Sequence, residues 1–165
     1  MGLLDFLMKS AELLSQLNIG RESDVSESVE STNTEELIAE CEHYLSVVVK
    51  LTVNDDRDII DTLTAFDRRY LKLDRIEAST DEFALSKKLN DLEHRREKAL
   101  TDIENMYYDL LNKLQEESKA EKDPVRWSEL NDEWFDYNKR LSKISNYQLK
   151  YLERLCNQAS DYLDM

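Results

Sequence analysis

Glycine occurs twice in the 165 residues, at Gly2 and Gly20, and proline once, at Pro124. Beyond residue 20 no position is free of a Cβ, which excludes Gly-rich phosphate cradles, nucleotide-binding βα turns and nucleophile elbows. Hairpin-rich β folds draw on Gly and Pro for their turns, so they are excluded as well. Only two histidines are present, which leaves few bases or imidazole ligands for a hydrolytic or metal centre. No apolar run approaches the roughly 20 residues of a membrane span. The N-terminus lacks the basic start of a signal peptide, its first charge being Asp5. Phe6 stands where a myristoylation signal places Ser or Thr.

Charge is plentiful and one-sided: 36 acids against 22 bases, a net charge of −14. It is spread along the chain, at −4 for residues 1–34, −5 for 35–79, −4 for 80–123 and −1 for 124–165. A phosphate-binding surface needs a basic stripe, so no direct nucleic-acid contact is expected. Lys87, Lys88, Arg95, Arg96 and Lys98 form the one local basic concentration. Asp91, Glu93 and Glu97 are interleaved with them at helical spacing, which reads as a solvated charged face. Cys41 and Cys156 lack ligand-like spacing and fall on or beside apolar stripes, as in a reduced cytoplasmic protein with two buried thiols.

The chain divides into three parts by pattern. Residues 1–19 contain an amphipathic segment, 3–17, with Leu3, Leu7, Ala11 and Leu14 on one stripe. Leu4, Phe6, Met8, Leu13 and Leu17 widen it. Residues 20–33 are Ser/Glu-rich and carry too little apolar surface to offset their ordering entropy, as expected of a flexible acidic linker. Residues 34–165 are helical in pattern throughout. Thr32 with Glu35 reads as a capping box opening the first helix. Ile38, Cys41, Leu45 and Val48 stay in phase with Ile59, Leu63, Phe66, Tyr70 and Leu73. That phase fits one helix kinked at Asn54–Asp56, and the Asn/Asp cluster with Val47-Val48-Val49 fits two helices.

Ser79 with Glu82 reads as a second capping box, opening a helix through Leu85, Leu89, Leu92, Ala99, Ile103, Met106, Leu110 and Leu114. Asp123-Pro124 supplies an N-cap and a first-turn proline for the last helix. That helix runs through Trp127, Leu130, Trp134, Tyr137, Leu141, Ile144, Tyr151, Leu155 and Tyr162, with Gln148 and Gln158 as interruptions. Two helices of ~40 residues joined tightly make an antiparallel hairpin about 60 Å long, with left-handed supercoiling. The expected architecture is all-α: an elongated three- or four-helix antiparallel bundle with a coiled-coil-like hairpin over 80–164 and a tethered N-terminal amphipathic helix.

Candidate chemistry is sparse. Glu40-x-x-His43 and Asp91-x-x-His94 have the spacing of di-iron bundle motifs. His94 groups with charged residues, though, and Glu40 and His43 sit beside their apolar stripe. The expectation is two surface histidines, with no metal, no cofactor and no catalytic site. Trp127 and Trp134 fall on the core stripe, while Phe135 falls off it and is the aromatic to test for exposure. The function expected is a non-enzymatic interaction or adaptor protein. Its contact residues are Leu3, Leu4, Phe6, Leu7, Leu14 and Leu17 of the opening helix, together with Phe135. The partner is a protein, or a membrane surface met peripherally through residues 3–17. Self-association becomes favoured where Tyr107, Tyr108 or Phe135 is exposed. An acidic decoy for the basic groove of a nucleic-acid-binding protein, and a di-metal bundle enzyme, are the competing readings.

Overall fold

The computed structural model describes residues 30–80 and 82–163, which form four helices and no strands. These are α1 (Glu30–Val48), α2 (Asp56–Thr80), α3 (Phe83–Ala120) and α4 (Pro124–Leu163). The expected opening helix at 3–17, with its contact residues, lies outside the described residues. So does most of the 20–33 linker. Residues 30–33, assigned to that linker by composition, form the first turn of α1, which places Thr32 inside the helix rather than at its N-cap.

The stretch 34–78 resolves into two helices. β-branched Val47, Val48 and Val49 are poor helix formers, and α1 stops among them. The connection is held by Asp55, whose carboxylate accepts from the Thr52 amide at 2.8 Å, while its carbonyl accepts from the Ile59 amide at 2.8 Å to start α2. The second expected capping box does not form. α2 continues through Thr80, where the Ser79 and Thr80 hydroxyls both donate back to the Ile76 carbonyl. Glu82 caps α3 in extended conformation without a side-chain hydrogen bond. Asp123 does cap α4, accepting from the Val125 amide through Oδ1 at 3.2 Å.

Consecutive helices run antiparallel, as shown by Arg69–Glu40 between α2 and α1, Arg96–Asp67 between α3 and α2, and Asn131–Ser118 between α4 and α3. α1 packs on α2 and α3, and α4 packs on the same two helices from the other side, so that α1 and α4 do not touch. The core contains Leu37, Cys41, Leu45, Ile59, Leu63, Phe66, Tyr70, Leu92, Ile103 and Ile144. Within α3 the buried series shifts by one residue at its middle. Tyr107 and Leu111 are buried where Met106 and Leu110 were expected, and Met106 is exposed.

That shift marks where the bundle changes thickness. The α1–α2 connection is pinned against the middle of the α3–α4 hairpin. Tyr107 Oη donates to the Val53 carbonyl at 2.9 Å, and Tyr137 Oη donates to Asn54 at 3.0 Å. Beyond these anchors, residues 108–120 and 124–136 continue for about 20 Å as a two-helix arm. Its seam is Leu111, Leu114 and Leu130.

Candidate functional site

The arm gathers three exposed aromatic side chains of the described residues, Tyr108, Trp127 and Phe135. A two-helix hairpin has one internal seam, and Leu114 and Leu130 fill it. Large apolar side chains off that seam are left partly or wholly uncovered. Phe135 is 65% exposed, as its position off the stripe suggested, and Tyr108 and Val125 are exposed elsewhere on the arm. Trp127 is 50% exposed, although its place on the regular stripe predicted core burial. The stripe is intact there, but α1 and α2 end before they could cover it. Trp134 is half-buried and meets the Phe135 ring edge-on at 5.3 Å. Together with Leu114, Ser118, Leu130 and Asn131 this pair lines an open groove of about 330 Å³. Asn131 stiffens the groove wall, donating to the Trp127 carbonyl at 2.9 Å and to Ser118 Oγ at 3.4 Å. Tyr107, the third aromatic considered for exposure, is fully buried.

A second cluster, inside the body, is polar. Arg96 was grouped by sequence with the solvated basic face, and that assignment is overturned: it is 3% exposed. Its guanidinium donates from Nε and Nη2 to the two carboxylate oxygens of Asp67 at 2.7 and 2.9 Å, and it lies 4.0 Å over the Tyr151 ring. Asp67, at 0% exposure, also accepts from Tyr147 Oη at 2.6 Å. Burial pushes the Asp67 carboxyl up from its ordinary range, while the Arg96 charge and the two hydrogen-bond donors pull it back. Both oxygens of the carboxylate are engaged, and through them Asp67 ties α2 to α3 and α4. Next to it, Tyr70 Oη donates to Glu93 at 3.0 Å. Glu93, His94, Gln148 and Tyr151 line a notch of about 170 Å³, in which Gln148 Oε1 and Tyr151 Oη are buried without a partner. That volume suits a few water molecules.

The two His motifs face outward. Glu40 pairs with Arg69 at 2.6 Å, His43 packs its ring against Tyr44, and His94 Nδ1 lies 2.9 Å from the Asn90 carbonyl of its own helix. Among the described residues, no three His, Cys, Asp or Glu side chains converge on a common point. Cys41 is fully buried, with its thiol pKa pushed up by desolvation, and its Sγ points at the Phe66 carbonyl. Cys156 is exposed, so only one of the two thiols is buried as expected. It lies on α4 outside the core stripe.

These features define the class: an all-α helical bundle, none of whose described helices is long and apolar enough to cross a membrane. Comparison with known protein families, with curated proteins and with solved structures finds no match to this chain.

Proposed function

We propose that this protein works by binding, as a non-enzymatic helical-bundle interaction or adaptor protein. The body holds two contact elements, the aromatic arm and the amphipathic segment 3–17. The partner is a protein that offers apolar side chains to the arm groove, and residues 3–17 add a second apolar face for that partner or for a lipid surface. The observation that carries this reading is the pair Trp127 and Phe135, held outward beside a 330 Å³ groove at the end of a braced hairpin. Trp and Tyr dominate the residues that carry interface energy, and a groove of this size accepts one or two aliphatic side chains. The ion pairs that tie α1 to α2 and α3, Glu40–Arg69 and Glu42 with Lys88 and Arg95, keep the body rigid behind the arm.

A photo-crosslinking residue placed at Phe135, at Leu7 and at the exposed control Lys98 tests the reading in cells that express the full chain. One protein adduct shared by positions 135 and 7, and missing at 98, is the expected result. Adducts of equal yield at all three positions, or none at 135, would overturn it.

A further inference from the structure

α4 carries a second apolar stripe that the four helices leave uncovered. Leu149, Leu152, Cys156, Ala159 and Leu163 recur at spacings of four and three, offset by about 100° from the core series Tyr151, Leu155, Gln158 and Tyr162. All five are exposed, Leu163 at 88%. The stripe faces the side on which α4 borders α3, since Leu152 shares a cavity wall with His94 and Glu97. Phe83, 84% exposed, stands on that same face of α3, eleven residues or about three turns before His94. Antiparallel pairing sets the start of α3 beside the end of α4, so Phe83 closes the far end of the groove next to Leu163.

Apart from Val49, every exposed large apolar side chain of the described residues thus belongs either to the arm and its base or to this groove. The α3 wall beside the stripe is polar at His94 and Glu97, so the apolar surface left to cover is the α4 stripe with Phe83 at its end. A stripe of this length fits the apolar face of a further helix.

The occupant follows from where the chain enters. Glu40 of α1 meets Arg69 of α2, and a little further along α2, Asp74 and Arg75 meet Gln158 and Tyr162 of α4. The start of α1 and the end of α4 therefore lie at the same end of the bundle, and the 29 residues preceding α1 emerge there. Residues 18–29 span at most about 40 Å when extended. The groove lies on the far flank of α3 from α1, about two helix widths or 20 Å away. Residues 3–17, as a helix, are about 21 Å long, and Leu149 to Leu163 also covers about 21 Å.

We infer that this groove is the docking site of the chain's own residues 3–17, which lie in it as a fifth helix with Leu3, Leu7 and Leu14 over Leu149, Leu152 and Leu163. The inference rests on the reading of residues 3–17 as an amphipathic contact helix, and it specifies where that helix sits when no partner is bound. A partner or lipid surface must then compete with α4 for the same apolar face.

Cys156 is a built-in reporter, because it sits in the middle of the stripe while Cys41 is buried and its raised thiol pKa keeps it silent. The experiment is the rate of Cys156 modification by a bulky maleimide in the purified full chain, with the mass in solution measured alongside. Wild type is expected to react at least ten-fold more slowly than Leu7→Glu and than Leu149→Glu, with every species at the mass of one chain. Cys41 staying silent in each variant shows that the body is folded. Equal rates in wild type and Leu7→Glu would overturn the inference. So would protection that accompanies a doubled mass and survives Leu7→Glu, which would make a second copy the occupant. An unprotected Cys156 together with a photo-adduct at Leu7 would remove the cis docking alone and leave the adaptor reading in place. A protected Cys156 with no adduct at Phe135 would do the reverse.

Discussion

Removing one member of the Asp67–Arg96 pair should unfold more of this protein than removing both. Asp67→Leu leaves a guanidinium that is 3% exposed, stacked on Tyr151 and without an acceptor. Arg96→Met leaves a carboxylate at 0% exposure with only the Tyr147 hydroxyl to donate to it. Uncompensated buried charges of this kind cost about 3–5 kcal/mol. The double variant Asp67→Leu/Arg96→Met has no buried charge. Its leading loss is the Tyr147 hydrogen bond, about 1 kcal/mol, set against the gain of an apolar contact between α2 and α3. Urea unfolding followed by circular dichroism should therefore give a coupling free energy of about 3 kcal/mol or more, with the double variant the most stable of the three. In thermal melts each single variant should fall by roughly 10–20 °C, at a few degrees per kcal/mol for a chain of this size. Single losses below about 1 kcal/mol that add to the double within ~0.5 kcal/mol would refute the reasoning. They would mean that water reaches the pair and that the three helices do not close over it.

Two further outcomes follow from the arm and from the charged rim. Leu130→Ala, at a position only 1% exposed, should cost about 2–4 kcal/mol in the same unfolding assay, whereas Trp127→Ala and Phe135→Ala should each cost less than about 1 kcal/mol. The opposite order would place the aromatics in a core. Glu42 accepts from Lys88 at 2.8 Å and from Arg95 at 2.9 Å, and these contacts hold its carboxyl below the ordinary 4.5. A depressed carboxyl stabilises the fold above its unfolded pKa and loses that contribution as pH falls through the folded value. The Tm difference between wild type and Glu42→Gln should be small, worth less than about 1 kcal/mol at this solvated site. It should be steady from pH 8 to about pH 5 and shrink as pH falls below the ordinary 4.5 through the lower folded value; a difference that grew on acidification would contradict the assigned partners.

Helix type and the last boundary were legible in the sequence because both depend on short-range physics. The three–four spacing of apolar residues located α2, α3 and α4, and Asp123-Pro124 located the turn between the last two. The two capping boxes failed for different reasons. At Ser79 the hydroxyl has a nearer acceptor in the Ile76 carbonyl of its own helix, and α2 simply keeps going. At Thr32 the helix starts earlier than the composition of the preceding stretch suggested.

The candidate site was half visible. Phe135 stood out by being off the stripe, but Trp127 sits on it, and no local pattern says that the covering helices end before reaching that turn. Arg96 had a signal that was overlooked. The series Leu85, Leu89, Leu92, Ala99, Ile103 skips one beat, and the residue on that beat is Arg96. A charged residue on a core beat implies a buried partner, and Asp67, next to Phe66 on the α2 stripe, is that partner. The second stripe on α4 was also present in the pattern, hidden by lying one residue beyond a stronger one.

Long helices with a repeating apolar seam face a difficulty of alignment, because a slide of seven residues puts apolar against apolar again. Between α2 and α3 the facing positions are set by Asp67 with Arg96 and by Tyr70 with Glu93. Sliding one heptad one way would bring Ile60 to Arg96 and leave Asp67 against Leu89. Sliding it the other way would give Arg96 a new acid in Asp74 but set Asp67 against Ile103. In both cases a charge is sealed in with nothing to answer it, at a cost of several kcal/mol. The pair therefore acts as a detent, a single notch along a smooth rod that admits one alignment of α2 on α3. The anchor points at Val53 and Asn54 inherit their place from it, and so does the length of hairpin left free beyond them.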